Sequence, residues 1–172
     1  MESEAVIPDV IDKVPINELE VRYDNEANVK MGNVLTRVQA KKSPVHVSWP
    51  YEEDALYTLC MVDPDAPSRR RHFLREFQHW LVMNIPKNDI SAGDSIYRYI
   101  GPGPPIGSGM HRYVFLVYKQ PSKLMYNKSF GKSIPMLGRA KFSTKEFAKK
   151  YNLGEPIAGN FFQAQFASQR TQ

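Results

Sequence analysis

Hydrophobic positions recur at every second residue along much of this chain. In "NELEVRY" the residues Leu19, Val21 and Tyr23 alternate with Glu18, Glu20 and Arg22, and in "VHVSW" Val45, Val47 and Trp49 do the same. Such alternation predicts strands with one buried face. Three runs, "ALYTLCMVD", "FQHWLVMNI" and "RYVFLVYK", are almost continuously apolar over the length of a strand, the pattern of central strands covered on both sides. "DSIYRYI" and "NFFQAQF" complete the set, with Phe162, Ala164 and Phe166 on the face expected to be buried. Turn chemistry separates the runs in "NDISAGD", in the glycine and proline loop at 101–109 and in "QPSK". A helical period appears in "STKEFAKKYNLG", where Ser143 and Glu146 have capping-box spacing and Gly154 follows the end. A short turn is expected around "PDVID". No repeat, linker or low-complexity segment interrupts the pattern, so residues 1–172 are expected to form one mainly β domain with small peripheral helices.

Composition adds little to this picture: 42% hydrophobic and 24% charged residues are ordinary for a packed soluble protein. The opening "MESEAVIPDVIDKVP" has an acidic start and no apolar run of a secretory signal, and no window reaches the roughly 18 apolar residues of a membrane span. A cytoplasmic protein is expected. Cys60, the single cysteine, sits in "YTLCMV" as a buried thiol, and the "NKS" sequon at Asn127 to Ser129 is read as chance. Charge changes the picture more. The net charge of +5 comes from 23 Lys and Arg against 18 Asp and Glu, and Arg69, Arg70, Arg71, His72 and Arg75 crowd one short stretch. That cluster favours acidic partners, although a solvated loop would look the same. No basic helix and no interleaved aromatic platform suggests nucleic acid.

Two stretches carry candidate chemistry. "GPGPPIGSGMHRYVFLVYKQ" is not a dinucleotide fingerprint, because Ile106 stands where the third glycine belongs, and it lacks the Gly-Lys-Ser/Thr of a phosphate-binding Walker loop. Glycine still lets backbone N–H groups approach an anion, while Pro102, Pro104 and Pro105 stiffen the loop. On the strand that follows, His111 and Tyr113 share a face and Arg112 points away. In "DPDAPSRRRHFLREFQHWLVMNI" each proline extends its predecessor, so Asp63 and Asp65 are expected on one face. Parity gives His79 the face-mates Phe77 and Leu81 and turns Trp80 away. Two histidines and two aspartates then meet a rigid loop at the ends of strands. The same residue types, Asp63, Asp65, His79 and His111, also suit a metal-dependent phosphate-ester hydrolase, but HExxH spacing and an activated nucleophile are missing.

"DPDAPSR", "REFQHWLVMNI", "GDSIYRYIGPGPPIGSGMHRYVFLVYKQ" and "FAKKYNLGEPIAGNFFQAQF" together resemble the phosphatidylethanolamine-binding protein family, also called Raf kinase inhibitor proteins, from about Val14 to Phe166. The resemblance implies an antiparallel Greek-key β-sandwich with a few short peripheral helices. It implies a small surface cavity for phosphate-like anions, phospholipid headgroups or phosphorylated small ligands, lined by Asp63, Asp65, His79, Gly103, His111 and Tyr113 with Pro67 and Phe77 as an apolar rim. It implies a non-enzymatic monomer without cofactor or metal, in peripheral contact with membranes, that modulates a protein kinase or a serine protease. This chain departs from the family where Phe77 replaces a common tryptophan and Gln78 a second histidine, and where it stops at "QFASQRTQ" instead of continuing into a tyrosine-bearing helix that covers the cavity. An open cavity is the expectation that follows.

Overall fold

The computed structural model describes residues 1–24, 26–126 and 136–166, so the "NKS" sequon and the final six residues, with the question of whether they cover a cavity, lie outside the described residues. The elements run α1 (Val6–Asp9), β1 (Asn17–Glu18), β2 (Glu20–Arg22), β3 (Asn33–Val34), β4 (His46–Ser48), β5 (Leu56–Asp63), β6 (Phe77–Pro86), β7 (Asp94–Tyr97), β8 (His111–Lys119), α2 (Thr144–Lys150) and β9 (Ala158–Ala164), with short 3-10 turns at Ile90–Ala92 and Met136–Arg139.

The three near-continuous apolar runs become β5, β6 and β8 in the middle of a seven-stranded sheet of order β1-β9-β8-β5-β6-β7, with β3 also on β9. β5, β6 and β7 form an antiparallel meander, and β8 returns to lie beside β5. That is the Greek-key order. β1 and β3 pair parallel with β9 at the far edge. The β3 pairing has no sequence signal, because two residues show no period.

Both faces of the sheet are covered, which is why the central strands lack alternation. One face packs Tyr57, Leu59, Met61, Tyr113 and Phe115 against Val21, Tyr23 and Trp49 of the small antiparallel β2–β4 sheet and its flanks. The other packs Cys60, Val62, Leu81, Leu116 and Phe161 against Val6 and Val10 of the α1 region and Phe147 and Ala148 of α2. The architecture is a mainly β sandwich with helices on its outer side. Phe162 and Ala164 are buried as the period predicts, but Phe161 is buried too, on the helix-covered face. Helix α2 starts at the expected cap: the Glu146 N–H donates to Ser143 Oγ at 3.2 Å, and Gly154 beyond the end has φ +70°.

Candidate functional site

A cavity of about 180 Å³ opens where the ends of β5, β6 and β8 meet the glycine loop. Its floor is polar, from Asp63, His79 and His111. Ala66, Pro67, Leu74, Phe77, Ile100, Pro105 and Met136 make its walls, with the backbone at Gly101 and Gly103.

β8 supplies His111, buried with its Nδ1 2.8 Å from Asp63 Oδ2 at the end of β5. A buried carboxylate only accepts here, so Nδ1 carries a proton and Asp63 fixes the ring. The Asp63 Oδ1 atom accepts the Asp65 N–H at 2.7 Å. On the other side of the ring, Nε2 lies 2.9 Å from Ser108 Oγ, which is also 2.8 Å from the Pro105 carbonyl, so its one hydroxyl proton is within reach of both acceptors. Ser108 therefore pins the glycine loop to the histidine. Gly101 anchors the start of that loop by close approach: a Cβ there would lie 2.7 Å from the carbonyl oxygens of Ala40 and Lys41. Gly103 is different, since a Cβ would meet nothing within 4 Å.

β6 supplies His79, and here the simple parity of the sequence fails. Met61 pairs with Trp80 and Val62 with Gln78, so His79 is the extra residue of a β-bulge. The bulge turns His79 towards Phe77, at 5.0 Å between ring centroids, and Tyr113, at 5.2 Å. Trp80 lies on this same side of the sheet and Leu81 on the opposite one, the reverse of what parity predicts, while Phe77 lies beside His79 as parity has it. The carbonyls at the bulge are taken up by Arg139, whose guanidinium donates to Gln78 O and His79 O, and by the Ile100 N–H. His79 Nδ1 donates to Ile100 O at 2.7 Å, which fixes the tautomer and leaves Nε2 without a partner among the described residues. Burial lowers the His79 pKa; Asp63 and the Ile100 contact raise it, Arg139 and His111 lower it further, and burial wins. The free site thus holds a neutral His79.

Tyr113 lies under this floor, its ring stacked between His111 and Phe162. It is fully buried and its hydroxyl closes no hydrogen bond among the described residues, although the Gly103 backbone is near enough to favour the ionised form. Burial, then Asp63, pushes its pKa well up.

Asp65 does not share the face of Asp63. The Arg112 backbone N–H and Nε donate to its Oδ2, both at 2.9 Å, and Arg112 Nη2 lies 2.6 Å from its Oδ1. A turn between the two aspartates sends the second to the helix-covered side, where Arg112 also reaches Asp9 and the carbonyls of Glu4 and Ala5. Asp65 fastens the N-terminal segment and lines no part of the cavity. The Ala66–Pro67 peptide is cis, and Pro67 and Phe77 sit in the cavity wall. Among the described residues no group of three or more His, Cys, Asp and Glu is placed to hold a metal, since the two carboxylates are committed to His111 and Arg112.

The sequence did not single out Ser108, Gly101, Leu74, Ile100 or Arg139 as site residues. Ser108, three residues before His111, lay inside the flagged loop; Arg139 is about 60 residues from the carbonyls it holds and carries no local signal.

A family model described as phosphatidylethanolamine-binding protein matches residues 25–162. A Drosophila melanogaster protein provisionally named odorant-binding protein A5 is 37% identical over 96% of this chain and 79% of its own length. Among solved structures, a carboxypeptidase Y inhibitor complexed with its cognate proteinase is 32% identical, with TM-score 0.81 over 96% of this chain and 93% of the other. The phosphatidylethanolamine-binding protein of Plasmodium vivax, 22% identical, shares the fold with TM-score 0.75 over 96% and 95% of the two chains. By the family model that matches most of its length and the relative 37% identical to it, this chain belongs to the phosphatidylethanolamine-binding protein family.

Proposed function

We propose that the chain is a non-enzymatic binding protein whose cavity takes a small phosphate-like anion, carried on a phospholipid headgroup or a phosphorylated small ligand. The observation that carries this reading is a polar floor beneath apolar walls with an open valence at His79 Nε2, and a Tyr113 hydroxyl buried just below the floor, neither with a partner among the described residues. Phosphate oxygens would accept from protonated His79 and from Tyr113, while Asp63, in the floor beside them, has its Oδ2 engaged in holding His111. The apolar walls suit the carbon atoms next to the phosphate.

Inhibition of a serine-type proteinase is a second reading. It is supported by likeness over nearly the whole chain to an inhibitor seen with its proteinase, and is tested by inhibition of carboxypeptidase activity. Modulation of a protein kinase rests on the family resemblance alone.

Gly103 allows a direct test of the cavity, because a side chain there projects into open space and leaves the packing intact. Gly103→Leu is expected to keep the melting temperature while phosphoethanolamine binding, read by calorimetry, falls at least about tenfold, the scale on which a blocked contact is felt. Undiminished binding would place the ligand elsewhere.

A further inference from the structure

Arg139 is buried, and among the described residues its guanidinium meets carbonyl oxygens instead of a carboxylate. Nη1 donates to both carbonyls of the β6 bulge, Gln78 O at 3.1 Å and His79 O at 3.2 Å, and Nη2 donates to Arg98 O at 2.9 Å. The head lies over the Tyr97 ring, 5.3 Å from its centroid, and its buried Nε has no partner among the described residues. A cation held in this way loses hydration that carbonyl dipoles and one ring only partly replace. Broken local rules of this kind gather at functional sites.

The two segments that the fork joins give the reason. One is the bulge from which His79 stems. The other, residues 98–100, holds the His79 ring: the Ile100 N–H donates to His79 O at 2.9 Å, and Ile100 O accepts from His79 Nδ1 at 2.7 Å. A slip between the two segments would turn Nε2 away from the cavity. Arg139 also ends the short turn Met136–Arg139, whose first residue is part of the cavity wall. A planar guanidinium spans these acceptors at once, and lysine, a point charge, cannot copy the fork.

We propose that Arg139 is a positioning residue of the anion site, clamping the β6 bulge to residues 98–100 so that His79 Nε2 stays aimed into the cavity, and placing a positive charge behind the bound anion. This inference rests on the anion reading given above. Burial does most to lower the His79 pKa, and the Arg139 charge adds to the lowering. Asp63, His111 and Tyr113 also face the ring, and a substitution at position 139 leaves all three in place. Loss of the Arg139 charge therefore raises the His79 pKa.

Histidine ring nitrogen NMR across pH, joined to sulfate calorimetry, tests the proposal in the parent, Arg139→Met and Arg139→Lys. In Arg139→Met, His79 is expected to titrate at higher pH than in the parent, while sulfate affinity below that pKa falls at least about tenfold, as loss of a well-aimed hydrogen bond to a charged acceptor does. Arg139→Lys keeps the charge without the fork, so His79 is expected to titrate as in the parent while sulfate binds more weakly. An arginine that only braces the fold would shift the His79 titration equally in both variants. That outcome overturns the proposal, as does parental sulfate affinity in either variant. If Arg139→Met does not fold, Arg139→Lys decides: weaker sulfate binding with a parental His79 titration supports the proposal, and parental affinity overturns it. A parent that binds no sulfate, although His79 still titrates higher in Arg139→Met, would instead strike at the anion reading.

Discussion

A buried hydroxyl without a partner costs a folded protein about 1–3 kcal/mol, and Tyr113 carries one under Gly103. Its removal is therefore the cleanest change at the site. Tyr113→Phe is expected to keep or raise the melting temperature and to weaken phosphoethanolamine binding about tenfold, as loss of a hydrogen bond to a charged acceptor does. Equal affinity in calorimetry would remove the hydroxyl from the site. His111→Ala and Asp63→Ala are poorer probes than their prominence in the sequence suggests: each breaks a buried pair and strands its partner, at about 3–5 kcal/mol. At this scale the sequence was partly legible. The shared face of His111 and Tyr113 follows from strand parity alone. The directions of His79 and Asp65 do not, because a bulge without any mark in residue type and a turn of the kind that Asp-Pro favours each break a period of two.

Among the elements, the start of β6 and the start of α2 are joined through Glu76. Its N–H and carbonyl exchange backbone hydrogen bonds with Phe142, and its buried carboxylate accepts from the Thr144 N–H and hydroxyl. Burial raises its pKa from 4.5 to about 7, with Asp9 adding to the rise while the Thr144 bonds and Arg75 oppose it. A folded-state value above the unfolded one means stability fully present below 4.5 and lost as pH rises through about 7. The loss is on the order of 3 kcal/mol. Glu76→Gln stays neutral, so urea unfolding is expected to show the parent losing stability across that window relative to the variant. Parallel profiles would show that Glu76 has no raised pKa. The helix itself was legible, since Ser143, Glu146 and Gly154 mark its ends. β3 was not, because tertiary pairing with β9 alone makes it a strand.

In the whole molecule, a sheet covered on both faces holds the ends of β5, β6 and β8 in register, and the site is built where the glycine loop crosses them. The mainly β character was legible because buried strands read as apolar runs, whereas the Greek-key sandwich came only with the family resemblance; the cavity walls were not legible, since Leu74 and Ile100 lie in loops and Met136 in a short turn whose approach no period encodes. The central claim is that this scaffold presents a neutral histidine which takes up a proton to hold an anion. Burial sets the free His79 pKa below 6.5, and a bound anion raises it, so affinity is greatest below the free value and falls as pH rises through the bound one. Sulfate is the better probe, because phosphate itself ionises near pH 6. The decisive measurement is sulfate affinity against pH for the parent and for His79→Gln: the parent is expected to bind more weakly as pH rises while the variant binds weakly with a flatter profile, and a pH-independent affinity in the parent would contradict the claim.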